Sequence, residues 1–557
     1  MQFHWNSLHI EGKDSVISRT VRAVCAFCWL GCAIAAHAAE VPTIAKSAAG
    51  GQLLVQGKPY LILGGELGNS AAGTAAQADS ILPRLARMHL NTVLMPVAWE
   101  QVEPVEGSFD FSILDHWIEV ARKEHLHLVL LWFGSWKNSV SSYAPAWVKT
   151  DIRRFPRAVS AEGTDLEILS TLGAETQRRD SRAFAALMKH VREEDQDQQT
   201  VLMVQVENEV GYLGRGRDRS AAADRLFQKP VPTDLIQKLQ ADRDSFSPEL
   251  RAHFDATGHT WQQVFGDAAN EVFMAWNYAG YIQAVAAAGK QVYALPMYVN
   301  CQLPAPGERA GEYPSGGPHP YYLEVYRVTA SALDFYSPDI YWPNFEYWID
   351  RYRFRENAVF VPEARLESAP YNALYAYGES KAFGFSPFGV ESQSNGTGQG
   401  PEIKDVYAVL DSMSEMLLTA QAANRSRGLV LHSNSPRATQ TVSLGGYLFE
   451  ATLSRSWPAK ALLADDGAML IVNSGADEFY IAGSGLTVSF YRDPDVDREQ
   501  SGIASMEEVE VVDGKWTTIR RLNGDQSNQG RQLSMAPHEI RVYRVHMYAV
   551  DRTTREP

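Results

Sequence analysis

Eight short apolar runs, each followed by a helical pattern, constrain this 557-residue chain more than any other feature. The runs are Leu61–Glu66, Asn91–Val97, Leu126–Phe133, Val201–Val206, Gln291–Val299, Leu333–Tyr341, Ala358–Val361 and a stretch near Ala382–Phe388. Leu82, Leu85 and Met88 have helical spacing after the first run, and Leu114, Trp117, Ile118 and Ala121 share one face of a helix predicted over Ser112–Glu124. An amphipathic helix over Glu402–Ala423 closes the series. Strands covered on both faces read as continuous apolar runs, and their alternation with helices predicts an α/β fold, a (β/α)8 TIM barrel rather than an open doubly wound sheet. No glycine fingerprint for a dinucleotide follows the first run. From Leu429 onward the pattern changes. The runs Gly446–Leu453, Ala468–Asn473, Leu486–Tyr491, Glu508–Val512, Trp516–Ile519 and Glu539–Val545 are short, and turn residues such as Asp513 and Gly514 separate them. They predict a C-terminal antiparallel β-sandwich.

Three segments are therefore expected. Residues 1–38 read as a secretory signal peptide, with Arg19 and Arg22 before the apolar stretch Ala23–Ala36 and the small-residue pair Ala36 and Ala38 at its end. Export to a bacterial periplasm or the extracellular space follows, with a lipid anchor at Cys32 as a minor alternative. Cys25, Cys28 and Cys32 lie in that stretch, so Cys301 is the one cysteine left in the mature chain. An intramolecular disulfide and a cysteine metal cluster are thereby excluded. Residues 39–428 form the barrel, with long loops Trp136–Thr200 and Tyr212–Asn270 after its third and fourth strands, the second highly charged and helical in part, both expected to rise from the active face and shape a cleft. Residues 429–557 form the sandwich, expected to support the barrel because Trp457 and Trp516 are too few for an aromatic binding platform. With 51 Lys plus Arg against 66 Asp plus Glu, and no basic run of five, nucleic acid is not an expected partner. No later segment is apolar enough for a membrane span. The fourteen histidines show no metal-ligand spacing, so neither metal nor cofactor is expected. The absence of a Gly-x-Ser-x-Gly elbow argues against an α/β-hydrolase esterase.

Ligands of such a barrel gather at the C-terminal strand ends. Those ends carry Glu66, Trp99, Glu100, Trp132, Asn208, Glu209, Asn300, Tyr341, Trp342, Glu363 and Phe388. Glu209 ends the stretch Gln205-Val206-Glu207-Asn208-Glu209, and Glu363 follows the apolar Val359-Phe360-Val361 and Pro362. In a closed barrel these ends face each other across the mouth. Glycosidic cleavage needs such a pair of carboxyl groups, one to protonate the leaving oxygen and one to attack the anomeric carbon. The acid must be kept protonated by burial and by its partner's charge.

The segment from Asn91-Thr92-Val93 through Trp99-Glu100, with Glu103-Pro104, Gly107 and Phe109-Asp110-Phe111, resembles the second-strand signature of family 35 glycoside hydrolases. Gly65-Glu66 and Met203–Glu209 extend the resemblance, which covers residues 50 to 395. That family belongs to a clan (clan A) of retaining barrel enzymes that also holds the family 42 β-galactosidases. The resemblance implies that Glu209 is the acid/base and Glu363 the nucleophile, that Asn208 hydrogen-bonds the sugar 2-hydroxyl, and that Tyr341 orients Glu363. The third-strand end, Phe133-Gly134-Ser135-Trp136-Lys137-Asn138, departs from the family's usual Gly-Gly-Leu-Pro run and resembles an atypical bacterial branch near family 42.

Other residues are weighed beside these. Glu207 reads as a buried structural carboxylate on the same face as Glu209. Glu66 and Glu100 are expected to bind sugar hydroxyls or to pair with arginines such as Arg365. Trp99, Trp132, Trp136 and Trp342 either stack on a sugar or pack in the core. Asn300 is a further candidate contact, His319 a weaker one, and Cys301 a small buried filler. The expectation is a retaining exo-acting β-galactosidase, with carbohydrate as its partner and galactosylated xyloglucan fragments as a substrate by analogy. Rival readings are another clan A β-glycosidase (β-glucosidase, β-mannosidase or endo-β-glycanase) and a non-catalytic carbohydrate-binding protein. The aglycone, the linkage and formation of a homodimer are left open by the residues.

Overall fold

A computed structural model describes residues 40–47, 50–214, 216–355, 357–392, 401–435, 437–456, 459–492, 500–528 and 530–550. The expected signal peptide, with Cys25, Cys28 and Cys32, lies outside these residues, as does Trp457. Eight parallel strands close into a barrel: β1 (Ile62–Glu66), β2 (Thr92–Ala98), β3 (His127–Phe133), β4 (Val201–Val206), β5 (Met297–Gln302), β6 (Phe335–Ile340), β7 (Phe360–Ala364) and β8 (Gly384–Pro387). Closure is made where β8 pairs with β1, Gly384 opposite Ile62 and Phe385 opposite Leu63.

Strand alternation explains why the runs are continuously apolar. In β3, Val129, Leu131 and Phe133 join a cluster with Ile62, Leu94, Tyr298, Phe335, Phe360 and Phe383 in the barrel interior. Leu128, Leu130 and Trp132 point the other way, into the layer shared with the surrounding helices, which holds Leu82, Leu85, Trp117 and Ile118. A three-stranded antiparallel sheet, Thr43–Ser47, Gly50–Val55 and Lys58–Tyr60, precedes the barrel and adds Leu53 and Val55 to the interior cluster. Gly51 permits that approach, since a Cβ there would fall 2.3 Å from Cβ of Ala358.

Several expectations are corrected. The fifth strand starts at Met297, because Gln291 caps the preceding helix Ala269–Lys290; it runs on to Gln302, so Asn300 lies inside it. Met88 lies beyond its helix, which ends at Ala86. Much of the stretch Trp136–Thr200 is the 22-residue helix Ala174–Asp195, together with a hairpin of Arg157–Val159 and Asp165–Leu169. The stretch Tyr212–Asn270, read as helical in part, does contain helices: Ala221–Phe227, Thr233–Ala241, Pro248–His253 and Trp261–Phe265. No helix among the described residues is long and apolar enough to cross a membrane.

The C-terminal strands are β9 (Ser426–His432), β10 (Thr439–Leu444), β11 (Tyr447–Leu453), β12 (Asp466–Gly475), β13 (Glu478–Ser484), β14 (Leu486–Arg492), β15 (Gln500–Val512), β16 (Lys515–Leu522), β17 (Gln532–Ser534) and β18 (Arg541–Val550). They form a six-stranded sheet ordered β9-β12-β13-β18-β15-β16 and a four-stranded sheet ordered β10-β11-β14-β17. Leu429, Leu431, Met469, Ile471, Phe479 and Ile481 face the second sheet's Phe449, Val488 and Phe490. Val430, Leu470, Val472, Tyr480 and Ala482 point the opposite way and join the core that includes the barrel helices Ala369–Gly378 and Ile403–Ala422. Strands β9, β12 and β13 are thus apolar on both faces, whereas β16 and β18 at the far side of the sheet are largely exposed or alternate.

Candidate active site

At the C-terminal end of β4 the chain leaves regular extended structure. Glu207 and Glu209 have φ of 62° and 41°, a region seldom adopted by side chains other than glycine, asparagine and aspartate. The change of direction breaks strand alternation, so the two carboxylates do not share a face as expected. Glu207 accepts the backbone N–H of Trp136 at 2.8 Å and that of Ser135 at 3.2 Å, beside Asp180. Burial, then the charge of Asp180, holds the Glu207 carboxyl well above the usual range. Its work is to hold the turn after β3, as expected of a structural carboxylate.

Glu209 points to the barrel axis. One carboxylate oxygen from each of Glu209, Asp339 and Glu363 lies within 4.8 Å of the other two. Glu209 is 8% exposed and Glu363 3%. The Tyr341 hydroxyl donates to Oε2 of Glu363 at 2.6 Å, and Nδ2 of Asn300 donates to its Oε1 at 3.3 Å. Asn300 also donates to Oδ1 of Asn208 at 3.0 Å and accepts the backbone N–H of Glu209 at 2.9 Å. It therefore ties both glutamates and Asn208 together. Asn208 is fixed further by Nε2 of Gln205, 2.6 Å from its Oδ1, and by donating to the carbonyl of Lys137 at 2.9 Å.

Lys137 and Asp339 are site residues that the sequence reasoning did not single out. Nζ of Lys137 is 3.8 Å from Oε2 of Glu209 and 5.5 Å from the centre of the Phe133 ring. Burial pulls its pKa down, but Glu363, Glu209, Glu66 and Asp339 together outweigh that and hold it charged. Asp339 and Glu66 are buried, and each lies beside another carboxyl group of the site, Asp339 by Glu209 and Glu66 by Glu363. Burial first, and the charge of Glu363 second, pushes both well above the usual carboxylate range. The signal for Asp339 was a carboxylate inside an apolar strand, two residues before Tyr341. For Lys137 there was none beyond its place after a strand end. Three converging carboxylates are spaced for a cation, but the positive charge beside them here is the Lys137 ammonium.

Burial, followed by the charge of Glu363, raises the Glu209 pKa to about 8, with Lys137 opposing. A carboxyl group in that state is a proton donor at neutral pH. Tyr341 stays protonated, since burial and then Glu363 both raise its pKa.

The remaining candidates lie elsewhere. Trp99 and Trp136 are fully buried, with their indole N–H groups donating to Glu103 at 2.9 Å and to the Leu169 carbonyl at 3.0 Å. Neither leaves a ring face for a sugar, and the stacking expectation is corrected to core packing. Trp132 is likewise buried and donates to Asp180. Glu100 pairs with Lys149 at 3.1 Å, while Arg365 donates to the Tyr341 carbonyl. Trp342 is half-buried at the rim and donates to the Leu303 carbonyl at 3.3 Å; Phe388 is half-buried, its ring edge-on to Tyr341. His319 is buried between the Pro314 carbonyl at 2.6 Å and the Cys301 thiol at 3.2 Å, away from the cleft.

The family model described as Beta-galactosidase, Glyco_hydro_42, matches residues 72–242. A second model, described as a domain of unknown function, DUF5597, matches residues 403–534. No curated protein matches the chain. Similar solved structures include the β-galactosidase from Bacillus circulans sp. alkalophilus, at 15% identity over 65% of this chain and 57% of that one, TM-score 0.43. The β-galactosidase from the psychrophilic Marinomonas ef1 is 11% identical over 64% and 60%, TM-score 0.44. The endo-1,4-β-mannanase from Rhizomucor miehei is 11% identical over 63% and 90%, TM-score 0.41. The chain spans less than two thirds of either galactosidase. Residues 72–242, about half of the barrel, match the family 42 model, and no match is to family 35. The expected family is corrected accordingly. The matched segment includes Lys137, Asn208 and Glu209, while Asn300, Asp339, Tyr341 and Glu363 lie beyond it.

Proposed function

We propose that this chain is a retaining exo-acting β-galactosidase that removes terminal non-reducing galactose by double displacement. The observation that carries the reading is the separation of at most 4.8 Å between carboxylate oxygens of Glu209 and Glu363. Retaining glycosidases hold their two carboxyl groups roughly 5 Å apart, whereas inverting ones leave a wider gap for water. Glu363 attacks the anomeric carbon while Glu209 gives its proton to the departing glycosidic oxygen. The products of this step are a glycosyl ester on Glu363 and a free alcohol. Glu209, now a carboxylate, takes a proton from water, whose oxygen displaces Glu363 and restores both residues. The hydrogen bonds from Tyr341 and Asn300 hold the Glu363 oxygens for in-line attack. Asn208, fixed at both ends of its amide, is placed to meet the 2-hydroxyl. Glu66 and Asp339, in the same buried space, are proposed to offer carboxyl oxygens to further sugar hydroxyls.

Galactose as the sugar is supported by the family description, and galactosylated xyloglucan fragments are proposed as a natural source of it. Export from the cytoplasm is proposed on the basic flank and apolar stretch within residues 1–38. The test is a panel of nitrophenyl glycosides, with NMR of the first sugar anomer released. The β-galactoside should be turned over fastest, and β-galactose should appear before mutarotation. A faster β-glucoside or β-mannoside would reassign the sugar. An initial α-product would refute retention, and sugar binding without turnover of any glycoside would refute catalysis.

A further inference from the structure

A cavity of about 380 Å3 opens at the barrel rim between the ends of β6 and β7 and the C-terminal sheet. On the barrel side it is lined by Tyr341, Trp342 and Arg365, and on the other by His432, Asn434 and Asp466. Its volume falls in the range of small-ligand sites. Tyr341 belongs both to this wall and to the reacting centre, since its hydroxyl donates to Glu363 at 2.6 Å. The cavity is therefore separated from the proposed nucleophile by one side chain.

The sandwich-side wall is firmly held. His432 and Asp466 are register partners where β9 and β12 meet, and Nδ1 of the histidine lies 2.7 Å from Oδ1 of the aspartate. The same sheet is locked to the barrel further along β9. A Cβ on Gly428 would lie 2.9 Å from the Leu374 carbonyl oxygen of the helix that follows β7. Buried Lys381 donates to the Gly378 carbonyl at 2.7 Å, to Oγ of Ser426 at 2.9 Å and to the Ser426 carbonyl. The lining chemistry matches a sugar ring. A half-buried indole suits an apolar C–H face, carboxylate oxygens accept hydroxyl protons, and a guanidinium and an amide donate to hydroxyl oxygens.

We propose that this cavity is the subsite for the leaving-group sugar of a β-linked oligosaccharide, with the C-terminal domain supplying one of its walls. The inference rests on the exo-galactosidase reading: in an exo-acting enzyme nothing extends beyond the terminal ring, so any second sugar lies on the leaving side. The domain matched at residues 403–534 then helps to select the substrate as well as packing on the barrel.

The test compares Asn434→Trp, which fills the cavity from an exposed position, and Asp466→Ala with the unaltered enzyme. Each is assayed on β-galactosyl fluoride, which has no leaving sugar, and on galactosyl disaccharides of β-1,2, β-1,3, β-1,4 and β-1,6 linkage. For the disaccharide that the unaltered enzyme prefers, kcat/KM should fall about tenfold more than for the fluoride in both variants. Parallel losses on the two substrates, or no loss on either, would overturn the subsite and leave the galactosidase reading standing. An unaltered enzyme that turns over neither substrate would overturn both.

Discussion

At Lys137 the carboxylates of the site are kept in balance. Glu66, Glu209, Asp339 and Glu363 converge on one buried space, and this ammonium is the cation that faces all four. In the proposed mechanism Glu209 acts as the acid in its protonated form, so activity should fall as the pH rises through about 8. Lys137 lowers the Glu209 pKa by favouring the carboxylate, so Lys137→Met should move that alkaline limb of kcat/KM to higher pH. A limb that stays in place or moves down would show that Lys137 is electrostatically remote from the acid. Strand-end position pointed to Glu209 and Glu363, and the family resemblance to Asn208 and Tyr341; hydrogen bonds and short distances bring the four together at one end of the barrel. Trp99 and Trp136 also follow strand ends, yet their indoles turn back into the core, because the neighbouring Glu103 and the Leu169 carbonyl offer partners for their N–H groups. Strand parity could not place Glu207 either, since two left-handed residues reset the direction of the chain.

Elements were legible where one periodicity ran undisturbed. Val201–Val206 coincides with β4, and the helix Ser112–Lys123 buries Leu114, Trp117, Ile118 and Ala121 as its spacing requires. The fifth strand was not legible at its start, because the turn and coil residues 291–296 that follow the 22-residue helix form one apolar run with the first residues of the strand. The seam between barrel and sandwich was invisible for a different reason. It depends on glycines that allow backbone contact, and a glycine in a strand carries no such label. At that seam Gly428→Ala would place a methyl group 2.9 Å from the Leu374 carbonyl oxygen. The overpacking should cost about 1–3 kcal/mol, read from the denaturation midpoint at constant m-value. An unchanged midpoint would mean that the seam yields freely.

Over the whole molecule, the barrel-plus-sandwich plan was readable because strands alternate with helices in the first part and follow one another across turns in the second, and the second apolar face of β9, β12 and β13 joins the two. The same burial sets a pH dependence of stability. Glu271 is buried, with the Gly316 N–H on one oxygen and the Ser315 side chain beside it, and burial outweighs both to raise its pKa to about 7. The unfolded chain releases this proton at lower pH than the native state. Its stabilising contribution is therefore full below the ordinary carboxylate pKa and is lost as the pH rises through about 7. The loss amounts to roughly 3 kcal/mol. Glu271→Gln, which has no proton to release, should be relatively more stable at pH 8 than at pH 5, and equal differences at the two pH values would contradict the burial assignment. The account as a whole depends on Glu209 and Glu363 acting as a pair on one anomeric carbon. Its most direct measurement is Glu363→Gly assayed on an activated β-galactoside with added azide. The small anion should enter the space left by the carboxylate and give α-galactosyl azide, with little turnover in its absence. Full hydrolysis by the variant without azide, or no azide product at any concentration, would contradict the account.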